Sequence, residues 1–197
     1  MTNDRIPKLI LPSLRMLLIL TVLTGVLYPV LLTLIAQAAF PRRANGSLIG
    51  DNGKIIGSSL IAQKFQSGRY FHSRPSAIDD NPLPSGATNL GPTSKTLKDS
   101  VDSRRHAFIR ENGLPEDTPV PVEMLSASGS GIDPHISPEA AMLQVNRVAR
   151  ARGFDEKQIV LLVRLVQQHT EGLQFGFLGE PRVNVLMLNI ALDGLFR

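Results

Sequence analysis

The chain has no cysteine, no tryptophan and only two tyrosines among 197 residues. Without cysteine there is neither a disulfide framework nor a thiolate for nucleophilic or metal chemistry. Without tryptophan, the aromatic platforms of a nucleic-acid binder are largely missing. The sequence pI of about 9.8 looks basic, yet no basic stripe exists. Three of the 21 basic residues and one of the 17 acidic residues precede residue 41, so 18 and 16 remain beyond it, a net charge of only +2. Nucleic acid is therefore not an expected partner. The four histidines, His72, His106, His135 and His169, include no pair at the i, i+4 spacing of a helical metal site, and no metal is expected.

Charge is absent altogether from Met16 to Phe40, a run of 25 residues. As a helix it would extend about 37 Å at roughly 1.5 Å per residue, against about 30 Å for a bilayer's hydrocarbon core. A transmembrane helix over 16–40 is expected, preceded by a short tail over 1–15 and followed by one soluble domain over 41–197. The rival reading is a cleaved secretory signal, for which Ala36, Ala38 and Ala39 offer an A-x-A-like site. Signal cores are shorter, about 7–15 residues, and the retained anchor is preferred. Pro29 removes a backbone donor and should kink the helix. Thr21, Thr24 and Gly25 supply small groups for packing against other membrane helices. Arg5, Lys8 and Arg15 precede the run and Arg42 and Arg43 follow it. That balance modestly favours an inner N-terminus and an outer soluble domain. There is no second long apolar run, so a single-pass protein is expected.

The soluble region reads as α+β, with short strands, long Pro/Gly loops and about four helices. Ser47–Gly50 and Lys54–Gly57 flank Asp51-Asn52-Gly53, a hairpin in which Asn-Gly supplies the positive φ angles of a tight turn. Arg69–His72 is a further possible strand. Residues 75–93 form a long irregular loop carrying Pro75, Pro82, Pro84 and Pro92, and loops of this length are often binding segments. A helix is predicted over 94–112, capped by Thr93 or Ser94, with Leu97, Val101, Phe108 and Ile109 near one face and Asn112-Gly113 as its stop. A second begins at Ser137-Pro138-Glu139 and ends at Gly153, with Ala141, Val145, Val148 and Ala149 as its stripe. Asp155 and Gln158 form a capping box for a third. After Pro181 an extended start passes into a closing apolar helix.

Three segments invite chemistry. Gly86–Thr93 has the spacing of a phosphate-binding loop, but Pro92 stands where the phosphate-reaching lysine belongs. Independent nucleotide hydrolysis is not expected there. Ser126–Pro138 gathers serines, Asp133 and His135 within a short span. A hydrolase using Ser128 or Ser130 with His135 is the alternative it raises, although triad partners normally come from distant positions and no nucleophile elbow is present. A tight turn feeding the helix at Pro138 accounts for it better. Arg104-Arg105 reads as a solvated helix face. Glu180-Pro181-Arg182 reads either as surface charge of little energetic weight or as a docking edge.

Taken in order, Phe71–Ala77, Ser85–Thr93, Ala127–Pro138 and Leu178–Leu186 resemble the KdpC family, the C subunits of bacterial Kdp potassium-transporting ATPases. The resemblance spans nearly the whole chain, with Ser85-Gly86-Ala87-Thr88 standing where many relatives read Ser-Gly-Gly-Ser. It implies a non-catalytic accessory subunit in a bacterial inner membrane, assembled with a KdpA-like potassium-binding subunit, a KdpB-like P-type ATPase subunit and a KdpF-like small subunit. It implies a chaperone-like rise in the pump's apparent ATP affinity. No DKTG-like phosphorylation sequence occurs. ATP and potassium are therefore expected to be handled by the complex, with no cofactor bound by this chain alone. Nucleotide contacts, if any, are implied at Ser85, Gly86, Thr88 and Asn89. Partner contacts are expected at Arg74, Pro75, Asn89, Asp133, His135, Glu180 and Arg182, because binding residues concentrate on loops.

Overall fold

A computed structural model describes residues 6–51 and 53–195. The chain divides into two compact units, one ending at Leu48 and the other beginning at Ile49.

The first unit is helical. Helix α1 (Ile6–Val22) passes through a π-helical turn (Leu23–Leu27) into α2 (Tyr28–Ala39), followed by a short α3 (Pro41–Ala44). The π turn answers Pro29. A proline ring crowds the carbonyl one turn back, and widening that turn relieves the clash. In that turn the Tyr28 N–H donates to the Leu23 carbonyl, five residues back; beyond it the Thr33 hydroxyl donates to the Pro29 carbonyl at 2.7 Å. Residues Leu9–Ala39 are long and apolar enough to cross a membrane, and their most apolar stretch is not buried in the chain. This span starts before Met16 because Leu9, Ile10 and Leu11 continue the apolar surface past Arg15. Pro41 then starts α3, where the Asn45 side chain donates to the Pro41 carbonyl at 2.7 Å.

The second unit is mixed. Strands β1 (Leu48–Asp51) and β2 (Lys54–Ser58) form the expected two-stranded sheet; Asn52 of their turn lies outside the described residues. Helix α4 (Lys95–Asn112) follows the long loop, then β3 (His135–Ile136), α5 (Pro138–Arg152), α6 (Glu156–Gln168), β4 (Thr170–Glu171), β5 (Arg182–Asn184) and α7 (Val185–Leu195). The helix starts and stops follow local chemistry. Ser94 and Ser137 accept from Leu97 N and Ala140 N, Asp155 and Gln158 make a reciprocal capping box, and Gly113 and Gly153 take the left-handed conformation that ends α4 and α5. The three-stranded antiparallel sheet has the order β3-β5-β4. His135 stands opposite Asn184 in it, and Thr170 opposite Val183.

The core lies between α5, α6, α7 and the sheet, around Val148, Leu162, Val166, Val183, Leu188 and Leu192. Phe71, at 0% exposure, enters it from the loop side. The expected strand at 69–72 does not form. Its backbone partners are side chains instead. The Asn189 amide donates to the Phe71 carbonyl and accepts from the Phe71 N–H, both at 2.9 Å. Gln144 does the same for His72, accepting at 2.7 Å and donating at 3.2 Å. Arg147 donates to the carbonyls of Gly68 and Tyr70, each at 2.9 Å. A strand needs a neighbouring strand only because backbone groups must be satisfied, and here α5 and α7 satisfy them.

Candidate functional site

The stapling of residues 68–72 fixes where Arg74 emerges. Two residues beyond His72, its guanidinium donates from Nη1 to Asp133 Oδ2 at 2.8 Å. Asp133 sits at the bend before β3. Its Oδ1 accepts from the His135 N–H at 3.0 Å and faces His135 Nδ1 at 3.4 Å. Pairing of β3 with β5 brings the start of β5 and the two residues before it alongside, so Glu180, Pro181 and Arg182 complete a groove of about 480 Å³ with Arg74, Asp133 and His135. Glu123 and Ser137 also line it, Glu123 accepting from the Ser137 N–H at 3.2 Å. Five of the seven expected contact residues, drawn from three separate stretches of sequence, thus meet on one surface.

The groove's charges are arranged in advance. The His135 ring, with help from the His135 amide and Arg74, holds the Asp133 carboxyl down to about 2, overriding the opposing effect of its partial burial. Arg74 Nε is buried without a hydrogen-bond partner. Arg182 donates to Glu171 Oε2 at 2.9 Å, so its partner is across the β4–β5 pair and not Glu180.

The other expected contacts lie elsewhere. Pro75 lines a smaller cleft of about 170 Å³ with His72, Glu111 and Gln144. There the His72 ring pulls the Glu111 carboxyl below its ordinary value, with Nδ1 at 3.2 Å from Glu111 Oε1. Ser85, Thr88 and Asn89 are exposed on the long loop, and Asn89 has a left-handed φ of 53°. The Gly86 N–H, a donor that a phosphate cradle would need, already donates to the Ser130 carbonyl at 3.1 Å. No strand precedes this loop within residues 59–94.

The two Gly-rich loops instead pack on each other. The Ser76 hydroxyl donates to the Gly131 carbonyl at 2.6 Å and accepts from the amides of Ile78 and Asp80 at 3.1 and 2.9 Å. Ser128 is buried, and its N–H donates to the Pro75 carbonyl at 3.1 Å. Among the described residues no hydrogen bond joins His135 to Ser128 or Ser130; the Ser130 hydroxyl accepts from Ile132 N at 3.3 Å. Nor do the described residues include a group of three His, Cys, Asp or Glu able to hold a metal.

Several organising residues escaped the sequence reading. Arg147, on α5 to one side of the stripe Ala141, Val145, Val148 and Ala149, is 6% exposed, and donates also to Asn112 Oδ1 at 2.9 Å and Gln144 Oε1 at 2.8 Å. Burial pushes its guanidinium down, countered by the charge of Glu111. A Gln and an Arg one turn apart, flanking an apolar stripe, were the available signal. Arg104 and Arg105 are not merely solvated. They donate to the carbonyls of Leu125, at 2.9 Å, and of Glu116, tying down the stretch after α4.

A family model described as K+-transporting ATPase, c chain (KdpC), matches residues 10–194. Three relatives are each named potassium-transporting ATPase KdpC subunit. The protein from Sorangium cellulosum is 52% identical over 186 residues, covering 93% of this chain and 96% of the relative. That from Methylococcus capsulatus is 53% identical over 188 residues, with the same coverage. That from Koribacter versatilis is 50% identical over 190 residues, covering 95% of each. With half the residues shared from the apolar helix through to α7, the chain belongs to the KdpC family, the c chains of K+-transporting ATPases.

Proposed function

We propose that this accessory subunit of the potassium uptake complex works as a docking cap. Its apolar helix anchors it in the bacterial inner membrane with the N-terminus inside, and its soluble unit lies outside. The groove of Arg74, Asp133, His135, Glu180 and Arg182 engages partner subunits. Those partners are the potassium-binding, P-type ATPase and small single-helix subunits, with which it stabilises the assembly. The observation that carries this reading is the convergence of those five residues on one groove whose ion pairs are already formed. Charges held in place lose little freedom on binding, and they select a complementary partner.

A rise in the pump's apparent ATP affinity then acts at a distance. The Gly86 loop has no lysine at the phosphate-reaching position, and its Gly86 donor is engaged within the chain. ATP and potassium are bound by the complex, and this chain contributes a coupling free energy of about 1–3 kcal/mol, or roughly 5–150-fold in affinity. The test is charge reversal in the groove, Arg74→Glu with Arg182→Glu, in the co-expressed complex. The subunit is expected to be lost during purification, and the apparent KM for ATP of the remaining complex to rise within that range. Assembly and ATP dependence both unchanged would refute the reading.

A further inference from the structure

Every residue from 171 to 181 is exposed, yet the stretch carries Leu173, Phe175, Phe177 and Leu178. It forms the far end of the β4–β5 hairpin. Gln174 N donates to the Leu178 carbonyl at 2.8 Å, Leu178 N to the Gln174 carbonyl at 2.9 Å, and Phe177 N to the Gln174 carbonyl at 3.2 Å. The tip is therefore a closed turn. Phe175 and Gly176 occupy its two central positions with φ of 54° and 82°, the left-handed pair that tight hairpins use and that Asn-Gly fills best. A bulky side chain is unfavourable at the first of them. The ring recovers nothing inside the chain, because Phe175 is 87% exposed and Phe177 73%. Backbone strain combined with exposed aromatic surface marks a functional contact.

Charge indicates what covers it. The limbs of the hairpin carry Glu171 and Glu180, and their one cation, Arg182, is held by Glu171. Glu180 has no ion-pair partner among the described residues. A rim of net negative charge opposes an anionic lipid surface and suits a protein cavity bordered by cationic groups. The returning limb, Glu180-Pro181-Arg182, is also a wall of the groove, so tip and groove form one continuous surface.

We infer that the β4–β5 tip is a prong that inserts Phe175 and Phe177 into an apolar, cation-rimmed pocket on a protein partner within the transport complex. This rests on the docking role of the groove and names the anchor of that interface. The rings supply the desolvated aromatic contact that dominates binding at such surfaces, and the groove supplies register.

The test separates anchoring from folding. Phe175→Asn places the turn's preferred residue at the strained position, so the full chain in detergent should melt at the same temperature or higher. Co-expressed with the other subunits of the complex, the same variant should be retained on a tagged partner about thirtyfold less well. Phe177→Ser, outside the left-handed pair, should lose retention comparably. If both variants are retained like the parent while the groove reversals are released, the prong is overturned and the groove stands. If all are retained, both fall. A bilayer occupant is read separately. Because the chain has no tryptophan, Phe175→Trp is a unique fluorophore. In the full chain reconstituted into phosphatidylethanolamine–phosphatidylglycerol vesicles with brominated acyl chains, its emission should remain unquenched. Strong quenching would overturn the protein-pocket assignment.

Discussion

Asp133→Asn removes one negative charge from the groove and leaves a single acceptor oxygen where the native carboxylate uses two, Oδ2 for Arg74 and Oδ1 for the His135 amide. The native carboxyl lies at about 2, against 3.8 for an unperturbed Asp, chiefly because His135 and then Arg74 bond its charged form. That difference corresponds to about 2.5 kcal/mol. The carboxylate is 30% exposed, and solvent screening reduces the figure to about 1–2 kcal/mol. The sign follows from linkage. A carboxyl depressed by folding stabilises the native state above its unfolded value, and that stabilisation fades as pH falls from about 4 to about 2. Denaturation of the full chain in detergent, followed by far-ultraviolet circular dichroism, should place the variant about 1–2 kcal/mol below the parent at pH 7. The two curves should converge as the parent loses this contribution in acid. Glu111, also depressed through His72, weakens both proteins alike and cancels in the difference. Parallel curves from pH 5 to pH 2, or equal stability at neutral pH, would refute the assignment of Asp133 as the electrostatic centre of the groove.

Two further substitutions address the scaffold. Gly131 has a φ of 74°, and a Cβ there would lie 2.5 Å from Ile78 Cγ1 and 2.7 Å from the Gly86 carbonyl oxygen, so Gly131→Ala should cost about 2 kcal/mol or more and lower the melting temperature by several degrees. Arg147→Met removes four hydrogen bonds from a nearly buried guanidinium and strands the carbonyls of Gly68 and Tyr70, which should cost about 3–5 kcal/mol. Hydrogen exchange should show amides 68–72 losing protection first, and a loss below about 1 kcal/mol would contradict the stapling role.

The parts of this fold that were legible in the sequence are those with local causes. Ser137-Pro138, the Asp155–Gln158 box and the glycines at 113 and 153 set helix ends through contacts within a few residues, and they stand where expected. The run of uncharged residues likewise needs no tertiary partner to be helical. The groove was legible as a set of odd residues, but not as a place. Only the pairing of β3 with β5, two strands of two and three residues, brings Glu180-Pro181-Arg182 beside Asp133. Residues 69–72 failed as a strand because nothing local distinguishes an extended segment paired with strands from one paired with Gln144, Arg147 and Asn189. The phenylalanines of the hairpin tip went unremarked because apolar residues in a short β segment ordinarily signal burial, and here they are exposed.

That side-chain pairing of residues 68–72 also dictates an order of events. Their backbone partners arrive 72 to 118 residues later in the chain. As the polypeptide emerges N-terminus first, Phe71 has nowhere to go until α5 has formed and Asn189 on α7 has followed. Contacts so distant along the chain slow folding and leave apolar surface uncovered meanwhile. Residues 68–72 therefore settle late, completed only when the final helix has formed.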